Sequence, residues 1–404
     1  MSTSLLYHAF GIRGYRYLST DYLEGDVVFT IAQGRHTLQC PLCGSREVIA
    51  HGAVPRLFRG VPIGAKATHV WLAVPRVECS ACGVTRQVAV PFADPQKRYT
   101  HAFARYALDL SAHMTIQDVA RHLGVSWDTI KDLQKQDLQR HFRKPKLRHL
   151  RQIAIDEIAV GQGHRYLTVV LDLVSGAVVF VGEGKGADAL EPFWKRLRPS
   201  RAKIKAVATD LSLAYILAVR EHLPRAVHVF DHFHVIKLFN EKLTAFRREL
   251  YREATDQLHK AILKGTRWLL LKNPENLDPR RNERQRLEEA LRINQPLATV
   301  YYMKEDLRQI WGQDDKATAR RVLQDWINRA EASGIKVLQQ FAATLAKYRE
   351  GILAYYEYPI STGPLEGTNN KIKTMQRQAY GFRDREFFKL KIYALHRTKY
   401  ALVG

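Results

Sequence analysis

The chain has four cysteines, and they fall in two pairs, Cys40-Pro-Leu-Cys43 and Cys79-Ser-Ala-Cys82. Two intervening residues let a tight turn aim both sulfurs of a pair at one metal ion, and four thiolates close a tetrahedral shell of the structural kind. Gly44 and Gly83 follow the pairs and let backbone amides fold back toward the sulfurs. Thirty-five residues separate the pairs. The sequence therefore predicts a zinc ribbon enlarged by a β-hairpin, with Thr68 to Val77 as the strand leading into the second pair. Disulfide frameworks scatter their cysteines, and no βαβ pattern surrounds either pair as a redox motif would require. Four free thiols are the plainer alternative. On this reading residues 1–97 form a domain that binds structural Zn2+ through Cys40, Cys43, Cys79 and Cys82.

A helical segment follows. Arg98 to His113 places Phe103, Tyr106, Ala107 and Leu110 on one face. Ile116, Val119, Ala120 and Leu123 make a second stripe, Gly124 breaks it, and Ser126 can cap a helix carrying Ile130 and Leu133. This spacing predicts a helix-turn-helix over residues 98–139, although an ordinary helical hairpin shares it. Its second helix would enter a DNA major groove with Trp127, Asp128, Lys131 and Lys135 near the exposed face. From 140 to 151 the chain carries Arg140, Arg143, Lys144, Lys146, Arg148 and Arg151 with no acid. Such a run is either a solvated hinge or a linker that tracks phosphates; between two nucleic-acid modules the second reading is preferred. Charge agrees, since 63 basic against 40 acidic residues leave +23 at neutral pH, a surplus that calls for a polyanion. With 46% hydrophobic residues in 404, the chain builds several cores, and no apolar run reaches the length of a membrane span. The start lacks a signal-peptide pattern, so a cytoplasmic location is expected.

From Gln152 the period changes. Gln152 to Ile158, Tyr166 to Leu173 and Ala177 to Val181 read as three strands, with Ser175-Gly176 turning the second into the third. A helix from about Ala187 to Leu197, a strand from Ile204 to Thr209, a helix from Ser212 to His222 and a strand from Val227 to Phe230 complete the run. Strand-strand-strand-helix-strand-helix-strand is the order of a ribonuclease-H-like fold, with the first strand central and the fourth beside it. That order brings Asp156, on the first strand, near Asp210, at the end of the fourth. Neighbouring carboxylates repel and usually share a cation, and two Mg2+ (or Mn2+) ions so held can drive phosphodiester displacement. Capping a strand end is the bland alternative for either residue. Glu157 alternates to the opposite face, and Asp172 precedes the turn it would stabilise.

The next stretch, 235–360, is helical in pattern and rich in arginine, and reads as an insertion that divides the core into 152–234 and 361–404. Its helices are expected at Phe246 to His259, Arg280 to Ile293, Leu297 to Ile310, Ala317 to Ala330 and Ile335 to Tyr348. Beyond it, Thr362 or Ser361 can cap a helix on which Glu366, Asn369, Asn370, Lys373 and Arg377 share one stripe. A carboxylate, amides and cations together suit metal and phosphate. His232 and His234 are too few for a second zinc site.

Ile155-Asp156-Glu157, Thr209-Asp210, Asp231-His-Phe-His234, Gly363-Pro-Leu-Glu366-Gly-Thr-Asn-Asn370-Lys-Ile-Lys373 and Arg377-Gln-Ala-Tyr380-Gly-Phe382 together resemble the ISL-three family of bacterial DDE transposases. The resemblance runs from about Tyr7 to the end of the chain. It implies an enzyme that binds the terminal inverted repeats of an insertion sequence, cuts at each end and joins the 3′-hydroxyls to target DNA. By the family pattern Asp156, Asp210 and Glu366 form the metal-binding triad, and Asp231, His234, Asn370 and Lys373 support it. Arg377 joins the expected DNA contacts. Ser361-Thr362-Gly363 stands where an Asn before the Gly is common, and Pro364 follows, but no triad member is lost. Pairing two ends implies at least a homodimer on double-stranded DNA, with no membrane partner, in a nucleoid-associated pool. A non-catalytic DNA-binding regulator of the same descent, or a structure-selective nuclease of the same fold, are the rival functions.

Overall fold

Both cysteine pairs sit at the open end of a long hairpin. The structure is a computed structural model that describes residues 5–397 apart from 162 and 164. A short helix α1 (Leu5–Phe10) precedes the antiparallel strands β1 (Tyr15–Leu23) and β2 (Asp26–Gln33). The hairpin itself is β3 (Val48–Ile63) and β4 (Lys66–Cys79), with a short β5 (Thr85–Gln87) pairing beyond it. Strand order is β1-β2-β4-β3, with β2 parallel to β4. The expected hairpin insert is therefore present, and it joins a larger sheet that the cysteine spacing alone does not reveal.

Alternation explains the burial. Thr68, Val70, Leu72 and Val74 of β4 all point inward against Phe10, Phe29, Ile31, Phe58 and Phe92. A register shift between Ala50 and Ala53 of β3 faces the point where the inward phase of β4 moves by one residue. Val77 and Cys79 are buried as a result, which turns the cysteine inward.

Three helices follow: α2 (His101–Leu110), α3 (Ile116–Leu123) and α4 (Trp127–Phe142). Thr100, Thr115 and Ser126 accept from the amides of Phe103, Asp118 and Thr129, so each helix begins on a hydroxyl cap. Gly124, at φ 61°, closes α3: its amide bonds Arg121 and the Val125 amide bonds Ala120, a Schellman end with glycine at the left-handed position. Phe103, Ala107, Val119, Ala120, Leu123, Ile130 and Leu133 form the small core beneath.

The chain divides into two compact units, 1–141 and 142–404. In the second, β6 (Gln152–Gly161), β7 (Arg165–Asp172) and β8 (Val178–Glu183) form an antiparallel meander. After α5 (Glu191–Leu197) comes β9 (Ala206–Thr209), then α6 (Leu213–His222) and β10 (Val227–Phe230). The sheet runs β10-β9-β6-β7-β8, with β9 parallel to β6 and β10 parallel to β9. This is the ribonuclease-H-like order predicted from the sequence. Asp172 accepts from the Ser175 amide and hydroxyl, locking the β7–β8 turn as expected.

Residues 143–151 do not behave as a free hinge. Leu147 and Leu150 are buried in the core with Ile153, Ile155 and Leu197, and the Pro145 carbonyl accepts from Arg196. Arg143, Lys144, Lys146 and Arg148 remain exposed, so this stretch is an anchored strap with its cations outward.

The helices of the insertion are α7 (His232–Glu253), α8 (Gln257–Gly265), α9 (Glu283–Ile293), α10 (Gln295–Arg308), α11 (Lys316–Ala332) and α12 (Lys336–Leu353). The single helix expected from Phe246 to His259 is two: Ala254 turns extended, and Asp256 accepts from the His259 amide to start the next. Phe239, Leu297, Leu323, Trp326 and Phe341 centre the helical core, with the Trp326 indole donating to the Met303 carbonyl. Phe230 of β10 ties it to the sheet by packing on Tyr348 and over Gly351. Two last helices, α13 (Gly363–Gln378) and α14 (Arg385–Tyr393), return to the sheet, where the Val181 amide donates to the Tyr393 hydroxyl. No helix among the described residues is long and apolar enough to cross a membrane.

Candidate functional site

Sulfurs first. The Sγ atoms of Cys40, Cys43, Cys79 and Cys82 all lie within 4.8 Å of one another, with Cys40–Cys82 at 3.6 Å and Cys43–Cys79 at 3.5 Å. A tetrahedron with Zn–S arms of ~2.3 Å has edges of about 3.8 Å, so the quartet fits zinc in size as well as in donor type. Amides of Cys43 and Leu42 pull the Cys40 thiol down to about 6, toward the thiolate a metal requires.

On α4, Trp127 is exposed and Lys131 lies over its ring at 5.5 Å. Lys135 is half-buried and Arg140 exposed.

Carboxylates gather at one edge of the second sheet. Ala154 pairs with Ala208 across β6 and β9, and two residues further along each strand stand Asp156 and Asp210. Phe230 pairs with Thr209 across β10 and β9, and the Asp231 amide donates to the Thr209 carbonyl. Asp210 and Asp231 thus leave the carboxyl ends of β9 and β10, and Asp156 lies midway along the adjacent β6, level with the end of β9, in strands spaced by the ~4.8 Å repeat of a sheet. Asp156 Oδ1 accepts from the Glu157 amide at 2.8 Å and Oδ2 from the Asn369 side chain at 2.9 Å. Burial pushes the Asp156 carboxyl up to about 6; the Glu157 amide and His234 oppose the shift and Asp210 adds to it. Glu157 faces the other way, as alternation predicts, and accepts from the Tyr215 hydroxyl.

Asp231 is buried, with Oδ2 accepting from His234 Nδ1 and from the Thr362 hydroxyl, both at 2.8 Å. Burial raises its carboxyl, but those two bonds and the flanking imidazoles hold it below the usual range. The bond to Asp231 in turn raises His234 against its burial, helped by Asp156 and Asp210. Of the two hydroxyls expected to cap α13, that of Thr362 is spent on Asp231, and Ser361 accepts from the Gly363 amide at the helix start.

Glu366 lies in the first turn of α13, exposed, one turn before Asn369. Asp156, Asp210 and Glu366 do not meet as tightly as the four sulfurs do. The amide that reaches Asp156 belongs to Asn369, whereas Asn370 is exposed, as are Lys373 and Arg377. Thr362 and His232 are neighbours that the sequence does not assign to the site; Asn369 falls on the expected stripe, but Asn370 is the amide named as supporting the triad. A helix turns about 100° per residue, so the stripe alone could not decide between adjacent asparagines.

A family model described as a transposase of the DDE ISL3 type matches residues 153–392. The helix-turn-helix domain of transposase family ISL3 matches 88–136, and the zinc finger of the IS204/IS1001/IS1096/IS1165 transposases matches 36–82. Over 358 residues the chain is 37% identical to the transposase for insertion sequence element IS1001 of Bordetella parapertussis, covering 88% of each. The chain belongs to the ISL3 family of DDE transposases. An ISL3 transposase is a DNA-cleaving enzyme with DNA as its partner and a divalent metal in its core. The transposase for IS1557 of Mycobacterium tuberculosis is 29% identical over 372 residues, covering 85% of this chain and 82% of that one. A Drosophila P element transposase strand transfer complex aligns at a TM-score of 0.39 and 11% identity, over 74% of this chain and 92% of that one.

Proposed function

We propose that this ISL3 transposase binds the terminal inverted repeats of its element, hydrolyses a phosphodiester at each end and transfers the 3′-hydroxyls into target DNA. Asp156, Asp210 and Glu366 are the residues we assign to hold two Mg2+ (or Mn2+) ions. Bound there, the metals would supply activation of a water or 3′-hydroxyl and stabilise the leaving oxygen. One observation carries the reading: Asp156, midway along β6, stands beside Asp210, at the end of the adjacent parallel β9, and Asn369 fastens the helix of Glu366 to Asp156. Oxygen donors alone, one of them a half-buried carboxyl that burial makes costly to ionise, fit a hard divalent cation. Asp231 orients His234 through Nδ1, and the raised imidazole stands where positive charge meets a phosphate. Trp127, Lys131 and Lys135 contact the repeat, while Arg140, Arg143, Lys144, Lys146 and Arg148 follow its backbone. Lys373 and Arg377 hold the cut strand. Two ends brought together require at least a homodimer on DNA. The test is cleavage and strand transfer on DNA carrying the element's own ends, with Mg2+, comparing the native chain with Asp210→Ala. Cutting and joining should fall at least about 100-fold in the variant while end binding persists. Binding without cutting by the native chain would instead favour a regulator, and cutting of branched DNA regardless of its ends a nuclease.

A further inference from the structure

Helix α13 ends in an unusual way. The Gly381 amide bonds the Gln376 carbonyl and the Tyr380 amide bonds that of Arg377, the same Schellman pattern that closes α3. In α3 the left-handed position is Gly124; here it is Tyr380, at φ 51°. A side chain at this position strains the backbone, and glycine is the ordinary occupant. Tyr380 gains nothing from the fold in return, because it is 100% exposed. The turn beneath it is well held. Gln376 donates to the Val160 carbonyl, Phe382 stacks on Phe388 at 4.7 Å, and Asp384 caps α14 at the Phe387 amide. A strained, rigidly mounted and uncovered aromatic ring points to a ligand with a flat face.

Its neighbours identify that ligand by charge. Lys373 and Arg377 lie one turn apart near the end of α13, and Tyr380 stands two residues beyond its last residue, Gln378. Both are exposed and form no ion pair with the described residues. Glu366, Asn370, Lys373 and Arg377 make one exposed stripe along α13, an acid, an amide and two cations, and the exposed ring of Tyr380 follows where the helix closes. Cations that track a backbone beside an aromatic platform are how proteins hold single-stranded nucleic acid. From Glu366 to the end of α13 at Gln378 the helix runs ~18 Å, about five nucleotides of a stacked strand at ~3.4 Å each, so Tyr380, two residues further on, falls about six nucleotides away.

We infer that Tyr380 stacks on an unpaired or extruded DNA base about six nucleotides from the phosphodiester cut beside Glu366, on the strand guided by Lys373 and Arg377. The inference rests on the DNA-cutting reading above for the position of the cut. The test uses the full chain, without divalent metal, and duplexes carrying the element's end with 2-aminopurine placed singly four to eight nucleotides from the cut. The native chain should quench the probe at one of those positions. Tyr380→Gly should abolish that quenching and weaken end binding roughly 5- to 100-fold, yet melt at the same or a higher temperature. Tyr380→Trp should keep both binding and quenching. Native binding and quenching in Tyr380→Gly would overturn the inference. Because the probe needs no cutting, Tyr380-dependent quenching supports the contact even if the native chain fails to cleave with Mg2+. Cleavage with no Tyr380 dependence removes the contact and leaves the reaction standing.

Discussion

Asp156 is a carboxylate that its own fold makes costly to ionise. Burial raises it from an ordinary 3.8 to about 6. The folded chain therefore binds this proton more tightly than the unfolded chain, and its contribution to stability is full below about pH 3.8 and lost as pH rises through about 6. At ~1.4 kcal/mol per pH unit the loss is at most ~3 kcal/mol, and residual solvent access reduces it. His234 acts in the same direction in a higher window: raised by Asp231, it lends stability that is complete below about 6.5 and lost above. In metal-free buffer Asp156→Asn should gain ~1–2 kcal/mol over the native chain at pH 7.5 and gain little at pH 4.5, and with Mg2+ added it should cut no DNA where the native chain cuts. Denaturant melts at the two pH values check this. A less stable Asn variant at pH 7.5 would mean that His234 and the Glu157 amide already compensate the charge. The gain would also be a trade of function for stability, since removing the charge removes one of the three carboxylates we assign to the metals.

Elements were legible where burial follows a period. The alternation of Val70, Leu72 and Val74 and the wholly buried Ala206-Val-Ala-Thr209 give strands in only one way. What was hidden depends on partners distant in sequence. Leu147 and Leu150 look incidental among arginines and lysines until Ile153 and Leu197 are brought to them. The break after Glu253 carries no glycine or proline, and the cap at Asp256 reads equally well as helix interior. In the candidate site, strand order gave Asp156 and Asp210, but the rotation of α13, which selects Asn369 over Asn370, is set by packing of Leu365, Thr368 and Ile372. The hairpin β3–β4 yields a prediction at this scale. Small zinc fingers unfold without metal, but here Phe29, Phe58, Val70 and Leu72 give the hairpin an apolar core of its own. Cys40→Ser should abolish stoichiometric zinc and speed amide exchange at the cysteine end, in Val48 to Val54 and Val74 to Cys79. The turn end near Ile63 and Lys66 should stay protected. Exchange measured with and without a chelator decides it; loss of protection along the whole hairpin would make zinc the folding nucleus rather than a clasp.

At the scale of the whole molecule the surplus of +23 is the property that sets behaviour toward DNA. Charge of this size draws the chain to any duplex, so preference for an end must come from the few groups that reach bases, and the remainder supplies affinity that salt removes. The strap at 143–151 tests that division. Its apolar side chains are fixed in the core, so replacing its outward cations should not disturb folding. Each phosphate neutralised contributes ~0.9 to the slope of log affinity against log salt. Changing Arg143, Lys144, Lys146 and Arg148 together to Gln should therefore flatten the slope by about 3 to 4 if all four meet phosphates. Sequence preference, measured as the ratio of affinities for an end and for unrelated DNA, should hardly change, because none of the four is assigned to a base. Cleavage at saturating DNA should persist for the same reason. An unchanged slope would make the strap a solvated surface, and a collapsed preference would mean that it reads sequence through the width of a groove.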